Sequence, residues 1–206
     1  MISATDALQR LREGNSRFAA NQPAHRAGAE DRRRELTGGQ QPFAIILGCS
    51  DSRAPAEIIF DQGLGDLFVI RVAGNIVEPS QIGSIEFAAS KFGTRLVVVM
   101  GHSQCGAIAE TIRELQAPTE NRSENVGAIV DFIRPSVEPL LEHVNEGDED
   151  AIIARAVRAN VCASAEKLRH GSKLFAELER DNGLLIVGAE YSLETGLVDF
   201  FDGVPP

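Results

Sequence analysis

Three short apolar runs constrain this chain most: PFAIILG (42–48), DLFVIRVAG (66–74) and TRLVVVMG (94–101). Each is rich in β-branched residues and closed by glycine, the texture of a strand buried on both faces of a parallel sheet. A fourth run, GLLIVGAEY (183–191), comes near the end, and helical patterns separate the runs, among them SQIGSIEFAASKF (80–92) and CGAIAETIREL (105–115). Strand and helix in alternation predict an α/β domain with a mainly parallel sheet. Residues 3–20 read as a helix, with Ser3 and Asp6 resembling a capping box and Leu8, Leu11 and Phe18 on one face. AEDRRREL (29–36) is a short helical candidate ended by Gly38-Gly39. Helical spacing returns from Val126 to Val144, where Pro135 and Pro139 are expected to kink or divide the helix. The acidic stretch 138–150 reads as a solvated helix end and loop, and 151–170 and 172–181 as further helices. No repeat or linker interrupts 1–206, so one domain is expected.

Composition removes several functions. Lys+Arg is 20 against Asp+Glu 30, a net charge of −10 that repels nucleic-acid phosphates and anionic lipid. Aromatic residues are 5%, with no Trp, so stacking platforms for bases or sugars are scarce. Three cysteines, Cys49, Cys105 and Cys162, make no disulfide framework and suit a reducing compartment. The N-terminus lacks the apolar stretch of a signal peptide, and no apolar run approaches the roughly 18 residues that span a bilayer. A cytoplasmic protein without nucleic-acid or membrane partners is the expectation.

The first run ends in Gly48-Cys49-Ser50-Asp51-Ser52-Arg53 and the third in Gly101-His102-Ser103-Gln104-Cys105-Gly106. Ligand sites of open parallel sheets form at the carboxyl ends of strands, so Cys49, His102 and Cys105 can converge there. Two thiolates and an imidazole suit tetrahedral zinc, and three protein ligands with a fourth position open form a catalytic pattern. Two other readings stand beside it: buried small cysteines, and a thiol nucleophile activated by His102. Asp51 can either ligate the metal or pair with the Arg53 fork; a turn-stabilising Asp–Arg pair fits the spacing equally well.

Cys49-Ser50-Asp51-Ser52-Arg53 together with His102-Ser103-Gln104-Cys105-Gly106 resembles the signature of the beta-class carbonic anhydrases. The likeness extends through PAEIIFDQGLGDLFVIRVAGN (55–75) and YSLETGLV (191–198). The resemblance implies a mainly parallel sheet of four or five strands flanked by helices. It also implies a helical arm (1–40) packed on a partner subunit, and a homodimer or dimer of dimers. It implies one Zn2+ per chain on Cys49, His102 and Cys105. Asp51 would be either the fourth ligand or the Arg53-paired acceptor from zinc-bound water. Gln40, Phe68 and Gly106 would border the substrate pocket, though on the residues alone Gln40 is equally a loop residue and Phe68 a core residue. The implied reaction is reversible hydration of CO2 to bicarbonate and a proton by a zinc-bound hydroxide, the standard example of metal-activated water.

Some family members carry a non-catalytic bicarbonate pocket of Trp, Arg and Tyr. Arg71 and Tyr191 match it, but Ile46 stands at the Trp position, which argues against such regulation here. Two rival functions use the same residues: hydrolysis of carbonyl sulfide or carbon disulfide on the zinc scaffold, and a non-catalytic zinc or thiol redox-sensing module. His25, His143 and His170 read as surface residues and Cys162 as helix packing, none lying at a strand end.

Overall fold

A computed structural model describes residues 2–24, 30–118, 123–141 and 149–205. Five strands form one sheet in the order β2-β1-β3-β4-β5: β1 (Ala44–Gly48), β2 (Leu67–Arg71), β3 (Leu96–His102), β4 (Leu185–Tyr191) and β5 (Val198–Asp202). The first four pair in parallel, and β5 runs antiparallel to β4, with a bulge at Gly188/Ala189. All seven residues of β3 and all five of β1 are buried, as two-sided burial of the apolar runs requires. The chain turns from β1 to β2 on one side and then crosses to β3 on the other. The sheet order therefore reverses at β1, which opens a crevice at the carboxyl ends of β1 and β3.

On one face α1 (Ala4–Ala19) and α3 (Ala56–Ile59) cover the sheet, burying Ala7, Leu8 and Leu11 of α1 within their own chain. The Ser3 hydroxyl caps α1 by accepting from the Asp6 N–H at 3.0 Å and donates to Asp6 Oδ2 at 2.7 Å. Asn15, buried, ties α1 down: Nδ2 donates to the Ile59 and Gly196 carbonyls, and Oδ1 accepts from the Val198 N–H. Short α2 (Glu30–Glu35) buries no residue and leads into a 3-10 turn, Leu36–Gly38.

The opposite face carries α4 (Pro79–Lys91), α7 (Glu149–Gly171) and α8 (Lys173–Asn182). α5 (Gly106–Gln116) and α6 (Glu124–Leu141) pack with α7 around Cys49 and Cys105. α6 runs undivided through Pro135 and Pro139, contrary to the expected break. Asp131, Pro135 and Pro139 share its exposed face, so the carbonyls that lose an N–H partner lie where water replaces it, while Val130, Ile133 and Val137 keep the buried face packed. Among the described residues no helix is long and apolar enough to cross a membrane.

Candidate metal centre

Cys49 follows directly on β1, His102 ends β3, and Cys105 is the N-cap residue of α5. Between the last two, Gln104 takes a left-handed conformation (φ 55°) that folds the chain back sharply. Since β1 and β3 are paired neighbours, these loops leave the sheet side by side. The donor atoms of Cys49, His102 and Cys105 fall within 4.8 Å of one another, and their residues are 5%, 1% and 1% exposed.

The donors are prepared for a cation. His102 Nδ1 lies 3.0 Å from the Ser103 carbonyl, which places the ring proton on Nδ1 and leaves Nε2 a lone pair. That Nε2 is buried without a hydrogen-bond partner, a state costing about 1–3 kcal/mol that a bound metal would relieve. The Cys105 thiol hydrogen-bonds Cys49 and, against the opposing effect of burial, the contacts from His102 and the Gly74 and Asp51 amides help push the Cys49 thiol down to about 4. Cys105 is pushed up by that same hydrogen bond and by burial. Burial pushes His102 down, but its contacts with Cys49 and the Ser103 carbonyl outweigh this and raise it. Two soft sulfurs and an imidazole nitrogen, close and buried, fit a zinc-type ion.

Asp51 stands beside this group. Arg53 Nε and Nη2 reach its two carboxylate oxygens at 3.0 and 2.8 Å, and the Arg53 N–H adds a third bond at 2.9 Å. The guanidinium hydrogen bond holds the Asp51 carboxyl well below the usual carboxylate range. Asp51 Oδ2 lies 3.9 Å from His102 Nε2, so the carboxylate faces the donors while engaged by Arg53. Arg53 Nη2 also reaches the Gln104 carbonyl at 3.3 Å, bridging the two donor loops. Arg71 fastens the first loop from below, donating to the carbonyls of Cys49 (2.9 Å) and Asp51.

Of the three positions of the bicarbonate pocket, Arg71 is engaged by the first loop, Ile46 is fully buried in the core, and Tyr191 is buried against Phe18. Gly106 opens α5 beside Cys105, and a Cβ there would meet no atom within 4 Å. Gln40 is exposed in a cleft with Arg33, Leu36 and Leu64, and Phe68 sits among Phe87 and Phe92; within one chain neither is brought to the three donors. Cys162 is half-buried on α7, its thiol pushed up by burial, and His170 is an exposed partner of Glu166. His25 and His143 lie outside the described residues. One contact escaped sequence reasoning: the Gly74 N–H donates to Cys49 Sγ at 3.4 Å, its only trace in the sequence being the glycine that ends the second run.

The family model for carbonic anhydrase matches residues 44–198, both donor loops included. The β-carbonic anhydrase CafA of Aspergillus fumigatus shares the fold, with a TM-score of 0.75 at 24% identity over 98% of this chain and 92% of that one. The chain belongs to the β-carbonic anhydrase family. Among its relatives, the carbonic anhydrase of Mycolicibacterium smegmatis is 45% identical over 193 residues, 94% of this chain and 91% of that protein. Carbonic anhydrase 2 of Mycobacterium tuberculosis is 37% identical over 192 residues, 92% and 89% of the two chains. The chain is thus an enzyme of a family whose general activity is CO2 hydration, and its fold matches the predicted α/β architecture, with the fifth strand present and antiparallel.

Proposed function

We propose that this enzyme catalyses the reversible reaction of CO2 and water to bicarbonate and a proton, at one zinc ion held by Cys49, His102 and Cys105. The observation that carries the reading is the unpartnered His102 Nε2 within a three-donor group, with an Arg-locked carboxylate 3.9 Å away. Bound zinc supplies the Lewis acidity that makes water a nucleophile near neutral pH. Asp51, kept ionised by Arg53, has only acceptor capacity, so it takes a hydrogen bond from the attacking water and turns a lone pair toward CO2. Arg53 fixes that carboxylate with a planar fork and returns it to the same place after each turnover. The bidentate pairing favours the acceptor role for Asp51 over metal ligation.

Gln40, Phe68 and Gly106 are proposed to border the substrate pocket, Gly106 through the open space above it. The reading includes a homodimer or dimer of dimers in which the 1–40 arm meets a partner subunit. Exposed Phe87 and Ile58 support assembly. Three unpaired cysteines fit a reducing, cytoplasmic setting.

The test is stopped-flow CO2 hydration by the wild type and Asp51→Ala, with zinc measured on both. About one zinc per chain in each, with at least a 10²-fold loss of kcat/KM in the variant, is the expected result. Full activity in zinc-loaded Asp51→Ala would refute the orienting role. Sulfide release from carbonyl sulfide without CO2 hydration would reassign the substrate, and metal-free protein with a reactive thiol would reassign the site to redox chemistry.

A further inference from the structure

Behind Cys49 lies a second layer of contacts that originates on α7. The loop after β2, Ala73–Asn75, passes the metal centre with two successive left-handed residues, Gly74 (φ 69°) and Asn75 (φ 44°). That conformation turns the Gly74 N–H toward Cys49 Sγ, 3.4 Å away, and turns the loop carbonyls the other way. They meet α7: Asn160 Nδ2 donates to the Gly74 carbonyl at 2.8 Å, and the Ser164 hydroxyl donates to the Asn75 carbonyl at 3.1 Å. Both side chains are buried, at 3% and 6% exposure. They stand four residues apart and so lie one above the other on a single helix face, matching two consecutive carbonyls.

The loop has no room to shift toward the other side. A Cβ at Gly74 would come within 2.7 Å of Ile133 Cδ1 and 3.2 Å of Ala107 Cβ. α7 is itself held against the sheet: a Cβ at Gly101 would lie 2.7 Å from Val161, and one at Gly188 2.8 Å from the same residue. Asn160 therefore projects from a rigid platform.

We propose that Asn160 and Ser164 are positioning residues of the metal centre, which aim the Gly74 N–H at the Cys49 sulfur by fixing the two loop carbonyls. The proposal rests on the reading of Cys49, His102 and Cys105 as a metal site. A hydrogen bond to a thiolate stabilises its charge and draws electron density from the sulfur, so the second layer sets how strongly Cys49 donates to the ion. Asn160 touches neither substrate nor metal; its effect passes through the loop.

Cobalt(II) substitution reads this directly, because a thiolate–cobalt charge-transfer band reports electron density on sulfur. Wild type, Asn160→Ala and Ser164→Ala are loaded with cobalt, and metal affinity is measured against a chelator. In Asn160→Ala the band is expected at longer wavelength as the sulfur regains electron density, and the metal is expected to be held about 10–100-fold more weakly because the released loop no longer holds the Cys49 sulfur in place. Ser164→Ala, which leaves the Asn160 contact intact, is expected to shift the same way by less. Circular dichroism establishes that each variant is folded. Wild-type band and affinity in both variants would overturn the proposal, and should Asn160→Ala fail to fold, Ser164→Ala decides alone: a shift supports the proposal and an unmoved band overturns it. A wild type that takes up neither zinc nor cobalt removes the metal reading itself, an outcome visible before any variant is made.

Discussion

Arg53 engages both oxygens of Asp51 and also the Gln104 carbonyl, so one half-exposed guanidinium links the loops carrying all three donors. Lysine would keep the charge and lose the planar fork. Arg53→Lys is therefore expected to retain zinc while kcat falls about 10–100-fold, as stopped-flow kinetics beside metal analysis would read. An unchanged kcat would mean that charge alone holds the carboxylate. Cys49, His102 and Cys105 were legible in the sequence because each lies at a strand end beside polar partners, and strand ends are where such sheets expose side chains. Gly74, Asn160 and Ser164 were not. A main-chain N–H leaves no side chain to notice, and an Asn and a Ser within a helix read as solvated positions until the helix is docked.

The parallel strands announced themselves through unbroken β-branched runs, which only two-sided burial favours. β5 carries no such run: Val-Asp-Phe-Phe-Asp is half-buried along most of its length and pairs on one side only, so its apolar signal is diluted. The prolines of α6 misled for a related reason, since sequence alone does not say that both fall on the wet face. α1 offers a sharper trial of packing. A Cβ at Gly14 would sit 1.9 Å from the Phe60 carbonyl oxygen, which is main chain and cannot rotate aside. Alanine gains about 1 kcal/mol of helix propensity over glycine, but the overlap forces α1 off the sheet and breaks the Asn15 contacts. Gly14→Ala is expected to lose about 1–3 kcal/mol net, seen as a lower urea midpoint with an unchanged slope. A midpoint equal to or above wild type would show that α1 adjusts without strain.

An ion bound as proposed would need the three donors that only the folded sheet brings together, so it should stabilise the folded chain by mass action. At a free zinc concentration 100 times the dissociation constant the gain is about 2.7 kcal/mol. For a chain of this length that corresponds to a melting temperature about 5–11 °C lower after chelation, restored on zinc addition. Calorimetry of the loaded and chelated protein would measure it, and identical curves would argue against a tightly held ion. The reversal of strand order at β1 adds something further. Cys49 follows β1, while His102 ends β3 and Cys105 follows it, and these two strands pair in parallel though distant in sequence. A slip of β3 by one residue would turn His102 to the opposite face of the sheet, leaving Cys49 without its imidazole. On the proposed metal reading, capture of the ion would proofread strand register: it would be retained only by a chain whose β1 and β3 have joined in the right alignment.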